Sequence, residues 1–188
     1  MLSCNSWQLK ALTLIPVQPQ HLYLAVNVGH DDTATDPRLL QLLQRTDSER
    51  VVTELTEHLH VQDYPSLIDA VRRIRETGAR LAIDDTGAGF AGLSHILKLA
   101  PDLIKLDHVL TTGIDTDPAR QALAGALVRF ASATGAKVIA EGIETTGELQ
   151  YRPPTRIHYG QGYLLGRPQP LRHLPHFDSL RASPGLSP

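Results

Sequence analysis

Short apolar runs alternate with stretches of helical spacing along this chain, and the alternation repeats six times. The first run covers residues 22–28, followed by a polar Gly-His-Asp-Asp-Thr segment and a helix expected near 37–44. The second, 51–55, is short and β-branched, hence strand-like. After it Leu67, Ile68, Val71 and Ile74 fall on one helical face, and Gly78 supplies a left-handed stop. Runs at 80–84, 103–106 and 137–140 read as further strands, and a weaker one spans 156–159. The clearest helix lies between 106 and 137: Asp117 as N-cap, Pro118 at the first helical position, Leu123, Leu127, Phe130 and Ala131 as a buried stripe, and Gly135 past the end. Strands alternating with amphipathic helices require crossover connections, which predicts an α/β protein with a parallel sheet covered by helices.

Polar residues sharpen this picture. Asn27, Glu54, Asp84, Lys105, Glu141 and Gln161 stand at or just beyond the C-terminal ends of successive predicted strands. In a (β/α) barrel those ends converge on the face where such folds carry their chemistry, whereas an open sheet spreads them along a crevice. Taken singly, a carboxylate after a strand is more often a turn former or helix cap, and Glu57 has a cap's position. Gly87-Ala88-Gly89 lacks the Gly-Lys-Ser/Thr that would complete a phosphate loop. Lys105 is odder, because alternation points it away from its apolar neighbours Ile104 and Leu106; a barrel interior or a sheet edge would accommodate it.

Composition narrows the classes. The chain has 188 residues, one domain's worth, with 18 Lys plus Arg against 20 Asp plus Glu and 41% hydrophobic residues. Without a basic block, a surface that coats a nucleic-acid polymer is excluded, and a phosphate-bearing ligand must be held by metal ions or a few placed donors. The single cysteine, Cys4, excludes a disulfide framework, a Cys-rich zinc site and an iron–sulfur cluster, and fits a reducing cytoplasm. No run of 18 apolar residues occurs, so no membrane span is expected.

Six stretches in order resemble the EAL domain family, the cyclic di-GMP phosphodiesterases: Ala25-Val26-Asn27-Val28, Glu54-Leu55-Thr56-Glu57, Ile83-Asp84-Asp85-Thr86-Gly87-Ala88-Gly89-Phe90, Asp102-Leu103-Ile104-Lys105-Leu106-Asp107, Ala140-Glu141-Gly142-Ile143-Glu144-Thr145 and Gln161-Gly162-Tyr163-Leu164-Leu165-Gly166-Arg167-Pro168. The resemblance implies a TIM-like (β/α) barrel and two-metal hydrolysis of cyclic di-GMP to linear pGpG with Mg²⁺ or Mn²⁺. It implies that Asn27, Glu54 and Asp84 ligate one ion, that Asp84 also bridges to a second, and that Asp85 ligates the second. Lys105 matches the lysine beside the attacking water, Glu141 a required carboxylate, either ligand or general base, and Gln161 a residue at the same rim. Glu57 matches the glutamate anchoring the 85–90 loop, which includes Gly87 and Gly89 and in the family also forms a dimer contact. A cluster of Glu54, Asp84, Asp85, Glu141 and Glu144 would repel itself if bare, and divalent ions relieve that repulsion.

The sequence departs from the family pattern in four ways. The Glu-Ala-Leu triplet and the first strand are absent, so an incomplete barrel lacking the first two strands is expected. Thr86 replaces the usual Phe, and Pro153-Pro154 must end a helix near Tyr151. The expected organisation is a partial EAL domain over 1–170 and a loosely ordered tail over 171–188. Two readings of function follow: a phosphodiesterase weakened by the missing glutamate, or an inactive module binding cyclic di-GMP or a protein partner. A homodimer through the 85–90 loop or the N-terminal strand edge is also expected.

Overall fold

The computed structural model describes residues 23–28, 37–45, 47–56, 63–87, 91–151 and 157–168. Among these residues six strands follow one another in space as in sequence: β1 (Leu24–Asn27), β2 (Val51–Thr56), β3 (Arg80–Thr86), β4 (Leu103–Leu106), β5 (Lys137–Ala140) and β6 (Tyr159–Gly160). Each neighbouring pair is parallel. A doubly wound sheet reverses its strand order part-way, whereas this order never turns back, which is the progression of a barrel wall. The Tyr23 phenol, just before β1, is raised by burial first and then by the Glu54 charge.

The helices are α1 (Pro37–Gln44), α2 (Tyr64–Glu76), α3 (Ala91–Leu99), α4 (His108–Thr111), α5 (Pro118–Thr134) and α6 (Thr146–Gln150). Asp63 caps α2 by accepting from the Ser66 amide at 3.2 Å. Asp117 caps α5 through the Ala119 and Arg120 amides, and Gly135 closes it at φ 79°, a left-handed conformation that costs glycine little. The expected helix end near Tyr151 is present. Pro153-Pro154, Glu57, Gly89 and the 171–188 tail lie outside the described residues.

The main core lies between helices and sheet. Leu39, Leu43, Val71 and Ile74 from α1 and α2 pack with Val51, Leu81, Ile83, Ile104, Leu106 and Val138 from the strands. Two expected core positions differ. Ile68 is 44% exposed and Leu123 47% exposed. In α5 the buried face is instead Ala124, Gly125, Leu127, Val128 and Ala131, mostly small residues that let the helix lie close to the sheet and turn Leu123 outward. Strand limits also shift: β3 runs two residues beyond the predicted 84, and β6 covers Tyr159–Gly160 against the expected 156–159.

Candidate functional site

On the face of the sheet away from most helices, Val52, Ala82, Leu103 and Ile139 form a separate buried cluster. Two residues further along the same strands come Glu54, Asp84, Lys105 and, just past β5, Glu141. Side chains alternate with period two along a strand, so these four lie one pleat above that apolar layer, on the same face. The charged layer is thereby set on an apolar floor, the layering of a barrel interior.

Lys105 is the centre of this layer and only 5% exposed. Its Nζ lies 2.8 Å from Asp84 Oδ1, 2.9 Å from Glu141 Oε1 and 3.2 Å from Glu54 Oε2. An ammonium has three N–H donors, and three carboxylates stand at hydrogen-bond distance to receive them.

Asp85 joins the site through a backbone irregularity. Consecutive residues of a regular strand point to opposite faces, which would send the Asp84 and Asp85 carboxylates apart. The β3–β4 register shifts between Ile83 and Thr86, and Asp85 has φ 56°. This bulge places oxygens of Asp84, Asp85 and Glu141 within 4.8 Å of one another, a grouping that could hold a metal ion. A left-handed φ is tolerated by Asp better than by most residues and is a local cost concentrated at the site. Gly87 follows at φ 115°, where any side chain would run into Leu110.

The electrostatics follow from four acids facing one base. Burial pushes the Glu141 carboxyl up to about 7, with Asp84 and Glu54 adding to the rise and Lys105 opposing it. Burial likewise raises Glu54, opposed by Lys105. Burial alone would lower Lys105, but its hydrogen bonds to Asp84 and Glu141 and the Glu54 charge hold it above its ordinary value. Neighbouring negative charge adds to the burial-driven rise of the carboxyls and is what holds the ammonium up.

The structure thus brings together Glu54, Asp84, Asp85, Lys105 and Glu141. Asn27 stands beside Glu54 in the β1–β2 register but is exposed. Gln161 is exposed too; its backbone accepts from Ile143 at 3.0 Å and donates to Ala140 at 2.8 Å. Glu144 is exposed and is not part of the close acidic group. Sequence reasoning missed Glu148, which is 8% exposed and accepts from the Gly113, Glu144 and Thr145 amides, each at 2.9 Å. It ties the segment after β4 to the segment after Glu141. Its signal was present as the Thr145-x-x-Glu148 spacing of a capping box, formed in the structure.

An acid-and-lysine cluster at the C-terminal ends of barrel-ordered parallel strands defines a (β/α) protein with a candidate cation site. The chain belongs to the EAL domain family, whose model matches residues 5–168. It is 32% identical over 155 residues to the cyclic di-GMP phosphodiesterase PdeR of Escherichia coli K12, covering 80% of this chain and 23% of that protein. Among solved structures it resembles Klebsiella pneumoniae BlrP1 in a calcium and cyclic di-GMP complex, with TM-score 0.64 and 30% identity over 77% of this chain and 38% of that one. It also resembles the EAL domain of Mycobacterium smegmatis DcpA, with TM-score 0.74 and 25% identity over 86% of this chain and 74% of that one. The chain spans about a quarter of the length of curated relatives such as these phosphodiesterases. No helix among the described residues is long and apolar enough to cross a membrane.

Proposed function

We propose that this chain is an EAL-type phosphodiesterase module that hydrolyses cyclic di-GMP to pGpG in the cytoplasm with Mg²⁺ or Mn²⁺. The observation that carries the reading is the buried Lys105 ammonium among Glu54, Asp84 and Glu141, beside the close Asp84, Asp85 and Glu141 oxygens. The donor set fits hard divalent cations, since it is all oxygen with no sulfur or imidazole. Asp84, Asp85 and Glu141 would hold such ions, with Glu54 and Asn27 adding donors from the neighbouring strands. Bound there, divalent cations would neutralise phosphoryl charge and acidify water.

The chain's own residues do the rest. Four carboxylates against one ammonium repel a phosphodiester, so the bare cluster is an acceptor of cations before it is an acceptor of substrate. Lys105 orients the attacking water by hydrogen bonding and opposes negative charge as the P–O bond to the leaving oxygen breaks. Glu141 serves as a ligand or takes that water's proton. Gly87 gives the start of the rim loop its backbone freedom and Gln161 lines the rim; the loop roles that the resemblance implies for Glu57 and Gly89 belong to the same reading. A homodimer through the 85–90 loop or the free edge of β1 belongs to the same reading.

The test is hydrolysis of cyclic di-GMP by the purified chain with each metal. pGpG should form, and Asp84→Asn should reduce its rate by roughly 100-fold or more. No product above a Glu54→Ala control refutes the catalytic reading. Exposure of Asn27 and Gln161, on or beside the two outer strands of the described sheet, favours a second reading, an inactive module that binds cyclic di-GMP or a protein partner. Calorimetric binding of the nucleotide without turnover would select it.

A further inference from the structure

Lys105 has three donors, and all three are engaged by carboxylates. Two of those carboxylates, Asp84 and Glu141, also belong to the group whose oxygens lie within 4.8 Å of one another. The third, Glu54, does not belong to it. The ammonium therefore stands on the same ligands that a cation would use, two from the close group and a third, Glu54, from the neighbouring strand. Beneath it lies the apolar layer of Val52, Ala82, Leu103 and Ile139, whose side chains offer no polar atom to share the charge. Carboxylates this close and largely shielded from solvent would drive one another apart without a positive charge between them.

We propose that Lys105 is the protein's own counter-ion for this cluster, keeping Glu54, Asp84 and Glu141 assembled before a divalent cation binds and competing with that cation for Asp84 and Glu141. The site is thus preformed and guarded, and cation uptake frees a Lys105 donor toward the rim, where it has none to spare beforehand. The competition rests on the metal reading above; the assembly role does not.

The experiment compares wild type, Lys105→Met and the double variant Glu54→Gln/Lys105→Met, all as the full chain. Thermal unfolding is recorded in chelator, and Mn²⁺ alone is titrated by calorimetry. In chelator Lys105→Met should melt roughly 10 °C below wild type, because one buried and two partly buried carboxylates lose their partner. The double variant should recover about half of that loss, since one negative charge leaves with the ammonium. Mn²⁺ should bind Lys105→Met with a Kd roughly tenfold lower than wild type. Equal melting of Lys105→Met and wild type overturns the assembly role. A double variant no more stable than Lys105→Met also overturns it, because the lysine then matters through packing. If Lys105→Met does not fold in chelator, a folded double variant supports the proposal and an unfolded one refutes it. Equal Mn²⁺ affinity in wild type and Lys105→Met overturns the competition alone, whereas no Mn²⁺ binding to any of the three overturns the metal reading together with the competition.

Discussion

Glu148 shows how one carboxylate fixes two segments at once. It closes the capping box of α6 with Thr145 and also reaches across to the Gly113 amide. Replacing it by Ala leaves three amides without their acceptor, which should cost about 3 kcal/mol in urea unfolding. The pH dependence has a definite sign. Burial alone would raise this carboxyl, but the Gly113, Glu144 and Thr145 amides hold it below its ordinary value of 4.5. A depressed folded pKa contributes stability that is present in full above the unfolded value and is lost as pH falls through the folded one. Wild type should therefore lose stability relative to Glu148→Gln as pH falls below the ordinary carboxyl value of 4.5, with the gap between them constant well above it. An unchanged gap through acid unfolding would refute the assignment. Legibility at this scale was uneven for a physical reason. Lys105 could be placed because strict alternation sets it opposite Ile104 and Leu106. The union of Asp84 with Asp85 is implied by the family resemblance alone, because it depends on a bulge that breaks alternation.

At the scale of elements, the strands were more legible than the helix faces. The i, i+2 pairs Val52 and Glu54, Ala82 and Asp84, Leu103 and Lys105, Ile139 and Glu141 carry the two-layer arrangement in the sequence itself. Helix faces are less legible at Ile68 and Leu123, because small residues that permit close approach to the sheet, such as Ala70, Ala124 and Gly125, take the buried positions and turn these larger ones outward. The last strand is the element most dependent on a single contact. Gly162 sits where a methyl group would fall on the amide nitrogen and carbonyl of Ile143. That backbone also receives and gives hydrogen bonds there: Ile143 donates to Gln161 at 3.0 Å, and Leu164 donates to Ile143 at 3.0 Å. Backbone cannot move aside as a flexible side chain can, so Gly162→Ala should destabilise by about 2–4 kcal/mol and displace Gln161 from the rim. Chemical denaturation measures the first effect, and amide shifts of residues 159–166 measure the second. A variant as stable as wild type would mean that the segment is not clamped on Ile143.

At the scale of the molecule, sequential parallel order makes each inner strand depend on both neighbours, while β1 and β6 pair on one side only among the described residues. The inner strands also bury both faces: the helix side carries the main core and the opposite side carries the Val52, Ala82, Leu103 and Ile139 layer. Opening any of β2 to β5 exposes both layers at once and should occur only with global unfolding. Opening β6 exposes little, for it is two residues long and both are exposed. Hydrogen exchange should therefore separate the sheet into two classes. Amides of Leu55, Ile83, Ile104 and Ile139 should exchange together at the slowest rate, and those of Ala25, Gly160 and Gln161 faster by roughly tenfold or more. The distinction bears on function, because Glu54, Asp84, Lys105 and Glu141 sit on or just past the slow class while Asn27 and Gln161 belong to the fast one. The charged centre is then as stable as the fold, and its rim adjusts without unfolding it. Equal protection of Gly160 and Ile104 would show instead that β6 is held as firmly as the inner strands, and the rim would be as fixed as the centre.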